Sequence, residues 1–179
     1  MTLSDASTML SLFLRNLFFT VLQPGIVAGL IPLWIVSGQV KWLPLKLSGI
    51  NHYTGFILFT AGVGILFSCI ISFARKGRGT LSPVDPTKKL VVEGLYRFSR
   101  NPMYLGVLMI LGGESVYFQS IYLSFYLIMI FLAFSVFIRL HEEPRLLRDF
   151  GLEYQLYCKK VRRWIWFQYT MLYFTIMFH

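Results

Sequence analysis

Two short polar runs in an otherwise apolar sequence carry the residues that could do chemistry. The first is Arg97-Phe98-Ser99-Arg100-Asn101-Pro102-Met103-Tyr104, and the second is His141-Glu142-Glu143-Pro144. Two guanidiniums beside a helix start suit an anion such as a carboxylate, because the first-turn N–H groups and the positive end of the helix dipole point the same way. Adjacent carboxylates suit the opposite charge, an ammonium or sulfonium, or a sugar hydroxyl. Glu142, Glu143 and His141 could also move a proton if burial raises a glutamate pKa or keeps the histidine neutral. The plain alternative is a belt of charges at the membrane surface, with the arginines on lipid phosphates.

The first run must open a helix. Asn101 is a favoured N-cap residue, and Pro102 suits the first helical position, where its missing N–H would have had no intrahelical partner. Apolar residues from 102 to about 118 and from about 120 to 140 then form two spans joined by a tight turn without basic residues. A short hairpin of this kind brings its two open ends together, so both polar runs are expected to be neighbours. Glu114 lies roughly 18 Å along the first of these helices, beyond the bilayer midplane. It reads either as a functional intramembrane carboxylate or as an acid reaching the outer interface.

The rest of the chain is consistent with a membrane protein. Its 179 residues are 56% hydrophobic, 17% aromatic and only 14% charged, with a mean hydropathy of +0.62, a balance foreign to soluble domains. A formal net charge of +9 would elsewhere suggest nucleic acid. Here the basic residues sit beside apolar segments, so anionic lipid and membrane orientation account for them, and no nucleic-acid partner is expected. Cys69 and Cys158 are far apart and lack metal-ligand spacing, so neither a disulfide framework nor a metal site is indicated. The N-terminus shows no pattern of a cleaved leader and is expected to remain.

Two further spans are expected, at about 10–36 and 54–74, for four in all, with an apolar tail at 164–178 that is either interfacial or a fifth. Pro24, Gly25 and Pro32 should kink the first. Gly55, Ala61, Gly62, Gly64 and Ser68 offer the second a close-packing face. The loop 75–101 holds seven basic residues against Asp85 and Glu93, which makes it cytoplasmic. Its Gly77-Arg78-Gly79 permits close backbone approach to a ligand. Pro144 should stop or bend the fourth span. Beyond it, Leu147, Phe150, Tyr154, Tyr157, Val161 and Trp164 recur at helical spacing, giving an amphipathic cytoplasmic helix over 144–163. The fold class is therefore all-α, a polytopic membrane protein in one domain.

S-adenosylmethionine carries a carboxylate, an ammonium, a ribose and a sulfonium together, and so answers both polar runs. From about Phe73 to Trp164 the chain resembles the integral membrane methyltransferases that include isoprenylcysteine carboxyl methyltransferases and phospholipid N-methyltransferases. The resemblance rests on Arg100-Asn101-Pro102-Met103-Tyr104 with Gly106, then Glu142-Glu143-Pro144, then Phe150-Gly151-Leu152-Glu153-Tyr154. It implies that the Asn-Pro-Met-Tyr loop and the Glu-Glu pair enclose S-adenosylmethionine at the cytoplasmic interface, with Gly77 and Gly79 as a third contributor. Asn101 stands where the carboxyl methyltransferases usually have histidine, and the Asn-Pro-Met-Tyr form is similar to the phospholipid enzymes. The expected activity is methyl transfer to a lipid amine or a prenylated carboxylate. Arg100, Glu142 and Glu143 are expected to be catalytic and, together with Arg97, Asn101, Pro102, Tyr104 and His141, to bind the cofactor, with Arg100 anchoring its carboxylate. The reading from a different class is a non-catalytic scaffold or lipid-binding protein that keeps the fold, and oligomeric state is not legible.

Overall fold

A computed structural model of the chain describes residues 23–39, 49–76, 90 and 92–164, and every regular element among them is helical. Helix α1 runs through Gln23–Gly25, a π-helical turn at Ile26–Leu30 and Ile31–Gln39. The expected kink near its prolines takes the form of that wide turn. Helix α2, Gly49–Lys76, starts earlier than the expected 54 and takes in His52 and Tyr53. A 3-10 turn at Gly94–Arg97 leads to α3, Pro102–Tyr117. Helix α4, Ile121–Phe137, continues through a second π-helical turn, Ile138–Glu142, into α5, Glu143–Lys160. Two helical runs, one beginning at Gly49 and one at Ile121, are long and apolar enough to cross a membrane. The expected residues 10–22, Gly77, Gly79 and the tail 165–178 lie outside the described residues.

Helices α2 and α3 pack antiparallel along a seam of glycines. Gly55 and Gly62, two turns apart, face Gly113 and Gly106, also two turns apart. A β-carbon on Gly55 would sit 2.6 Å from the Tyr117 nitrogen, and one on Gly62 would sit 2.7 Å from the Gly106 carbonyl oxygen. Nothing larger than hydrogen fits there, which is how small residues let helix backbones approach. Gly64, expected on the same packing face, meets nothing within 4 Å. Ala61 and Ser68 are also exposed, so the seam uses two of the five small residues.

The α3–α4 turn is tight, as expected from the short gap. Gln119 takes a positive φ of 49°, and the buried Ser120 caps α4 by accepting from the Leu123 N–H at 3.3 Å. On α1, the Val27 carbonyl inside the π turn accepts a hydrogen bond from the Tyr126 hydroxyl at 3.0 Å, which ties α1 to α4.

Pro144 does not stop the helix. It falls at the start of α5, just after the π-helical turn, where proline is tolerated. The true break in α5 is Gly151, at φ 50° and ψ −120°, a conformation open to glycine and strained for other residues. Past Gly151 the apolar face behaves as expected: Tyr154, Tyr157 and Val161 are buried, with Leu90, Leu146, Phe150 and Cys158 packed on them. Before it, Phe150 packs as expected, but Leu147 is exposed and Leu146, one turn before Phe150, packs in its place.

Candidate functional site

Four side chains from the two polar runs meet in pairs where α3 begins and α4 passes into α5. Tyr104, one turn into α3, donates its hydroxyl to Glu142 Oε2 at 2.8 Å. Its ring is held edge-on against Phe134 of α4, with centroids 4.7 Å apart. Arg100 Nη1 lies 3.2 Å from Glu143 Oε1 and donates to Cys158 Sγ at 2.7 Å. The hairpin thus brings its open ends together as its length requires. The neighbourhood of the two runs is a contact, not only a shared membrane face.

The loop before α3 is shaped by hydrogen bonds that its own sequence does not suggest. Asn101 sits at the N-cap position, but its side chain makes no cap; Nδ2 donates instead to the Arg163 carbonyl at 3.0 Å. Ser99, buried, accepts from the Asn101 N–H at 3.1 Å and donates to the same carbonyl at 3.0 Å. The Arg100 N–H reaches the Arg162 carbonyl at 2.9 Å. The first intrahelical bond runs from Leu105 N–H to the Asn101 carbonyl at 3.2 Å, so the N–H groups of Met103 and Tyr104 have no acceptor within the helix. Below, the Tyr157 hydroxyl donates to the Tyr96 carbonyl at 2.6 Å and fixes the 3-10 turn on α5.

Glu143 is the most engaged residue of the junction. Arg163 grips it as a fork, Nε to Oε1 at 2.9 Å and Nη2 to Oε2 at 2.7 Å, while Arg100 touches Oε1 from the other side. Arg163 was missed by sequence reasoning, which gave it no role. An arginine twenty positions after a glutamate has no periodic signature. Cys158, which its spacing alone left without a role, is likewise part of the junction. Formally the two arginines balance the two glutamates, so the junction holds fixed charge of both signs without a net excess.

Burial pushes the Glu142 carboxyl above the ordinary carboxylate range, opposed in part by the Tyr104 hydrogen bond and by Arg145. Glu142 therefore keeps its proton to a higher pH than an ordinary carboxylate does. Arg163 is drawn upward by its hydrogen bonds to Glu143. His141 points away from these contacts: it is exposed and its ring stacks on Phe137, 5.5 Å between centroids. Arg97 is exposed on the 3-10 turn, and Pro102 is buried as the first residue of α3.

Helices, hairpin and polar junction together describe a membrane-associated bundle with a compact charged cluster at one end of the α3–α4 pair. Comparison with curated proteins and with solved structures gives no match. A family model does match, described as phospholipid methyltransferase, over residues 50–153, which takes in α2, α3, α4, half of α5 and both polar runs. That match spans more than half of the sequence, and the chain belongs to the phospholipid methyltransferase family.

Proposed function

We propose that the protein transfers the methyl group of S-adenosylmethionine to a lipophilic acceptor, a lipid amine or a prenylated carboxylate, where the polar junction meets the cytoplasmic face of the membrane. The observation that carries this reading is the joining of Arg100 and Tyr104 to Glu142 and Glu143 across the open end of the hairpin. The donor set fits the cofactor. Arg100 Nε is buried and has no hydrogen-bond partner, and Arg100 stands two residues before α3, whose first-turn N–H groups have no acceptor within the helix. Those groups would hold a carboxylate, while Glu142 would hold an ammonium or a ribose hydroxyl.

When bound, the cofactor supplies an electrophilic methyl group on a sulfonium. Tyr104 orients Glu142 through its hydroxyl, and Phe134 fixes the Tyr104 ring. With its raised pKa, Glu142 accepts a proton from an ammonium acceptor, whereas a carboxylate acceptor needs no base. The apolar flanks of α3 and α4 let a lipid acceptor approach laterally and keep water scarce around it. Exposed Arg139, Arg148, Lys159 and Lys160 lie on the α4–α5 run that carries the glutamates, which by the orientation rule supports a cytoplasmic position in a protein of four spans.

Calorimetric titration of the purified protein with S-adenosylmethionine and with its demethylated product tests the reading. Saturable binding of both is expected. A non-catalytic scaffold would give none. Incubation with methyl-labelled cofactor and a total lipid extract should then place label in one lipid class, and the labelled species identifies the acceptor.

A further inference from the structure

The four residues Val161 to Trp164, just past α5, form a strap across the junction. Val161 is buried with Tyr154 and Tyr157, and the Trp164 ring lies 5.2 Å from that of Phe131. Between these anchors the carbonyls of Arg162 and Arg163 take hydrogen bonds from Ser99, Arg100 and Asn101. The strap follows the residues that the family model matches, so nothing in that match assigns it a role.

The Arg163 side chain reaches the other half of the junction. It occupies both oxygens of Glu143 at 2.9 and 2.7 Å, while Arg100 meets that carboxylate through Nη1 alone at 3.2 Å, donates from the same nitrogen to Cys158 Sγ, and keeps an unpartnered Nε. A carboxylate and a guanidinium side by side would ordinarily close into a two-point fork. Here the fork is made with the wrong neighbour for that. Arg163 takes the geometry that Arg100 would otherwise take.

We infer that Arg163 is a positioning residue: by holding both oxygens of Glu143 it stops that carboxylate from closing on Arg100, and so keeps the Arg100 guanidinium open to an anionic group of the ligand. The inference rests on the reading of Arg100 as the anchor for the cofactor carboxylate. Without Arg163, Glu143 turns to Arg100, pairs with it end-on through Nη1 and Nη2, and competes with the ligand. A lysine in its place keeps the charge but not the planar fork, and holds only one oxygen at a time.

The test is S-adenosylmethionine binding by calorimetry, on full-length protein in detergent, with helicity checked by circular dichroism. Arg163→Ala should bind about tenfold more weakly, and adding Glu143→Gln should bring affinity back to within about threefold of wild type, since a neutral amide cannot neutralise Arg100. A purely structural contact predicts the reverse, a double variant no better than the single one, and that result overturns the inference. Should Arg163→Ala not fold, Arg163→Lys replaces it, with an expected loss of about threefold that Glu143→Gln reverses. Equal affinity in wild type and the Arg163 variant used overturns the positioning role while leaving the proposed function intact. Absence of binding in wild type overturns both.

Discussion

Helix α3 is held along its length and at its start by two seams made of opposite materials. Against α2 it is all backbone and glycine, with no room for a β-carbon at Gly55, Gly62 or Gly113. At its first turn it is held by charge, through Arg100, Tyr104 and the carboxylates of the α4–α5 passage. The glycine seam depends on shape alone and gains nothing from pH or ligand. The charged seam is made of groups that titrate and, in the function proposed above, bind. A membrane helix that must be rigid while one end handles a charged ligand can meet both demands only by separating them along its axis.

Substitutions that act on one seam and spare the other can break this contrast. The largest effect is expected at Glu142: Glu142→Gln should lower methyl transfer about 100- to 10,000-fold while the unfolding transition in detergent stays put. Wild-type turnover in that variant would reduce the charged seam to a second structural contact. Next comes Gly113→Ala, whose β-carbon would lie 2.5 Å from the Phe59 nitrogen and 2.7 Å from the Gly55 carbonyl oxygen. Because both are backbone atoms, the helices must part, at a cost of about 2 to 3 kcal/mol in reversible unfolding. Gly64→Ala, in open space, should stay within about 0.5 kcal/mol of wild type. Similar costs at both positions would mean that the seam is not where α2 and α3 are locked.

The smallest effect concerns pH. The Tyr104 hydroxyl pulls the Glu142 pKa down against the burial that raises it. Tyr104→Phe should therefore raise it further, so that the carboxylate is lost at a higher pH. The acidic limb of kcat/KM, which should already lie above the ordinary carboxylate range, is expected to move upward in this variant. For stability the sign is fixed by the same shift: a carboxyl that is more basic folded than unfolded favours the folded state at low pH, and that advantage fades as pH rises through its folded pKa. A profile that does not move would sever Tyr104 from the titration of Glu142.

What the sequence made legible was local or tied to the hairpin. The start of α3 follows from Asn101-Pro102, since proline chemistry acts on its own residue and neighbours. The meeting of the two polar runs follows from the short turn at Phe118-Gln119-Ser120. The match to the family bears out the likeness to the membrane methyltransferases. What stayed hidden depends on distant partners or on backbone state. Arg163 acts through its carbonyl and through a glutamate on the far side of a helix, and neither leaves a periodic trace. Asn101 looks like a cap, but its side chain accepts no first-turn N–H and its amide nitrogen donates to the Arg163 carbonyl. Gly151 hides inside a run of good helical spacing because its φ, not its place in the pattern, breaks the helix. Pro144 misleads for the converse reason, since it lies in a new first turn instead of an old interior.

The π-helical turn at Ile138–Glu142 fixes which way the glutamates face. A wide turn lodges one residue more than an α-helical turn, and each residue is about 100° of arc. Removing that surplus residue would swing the carboxylate pair a quarter-circle or more around the axis, off Tyr104 and Arg100 and toward the acyl chains. The aim of the whole junction is thus set by a one-residue slack in a helix otherwise given over to oil.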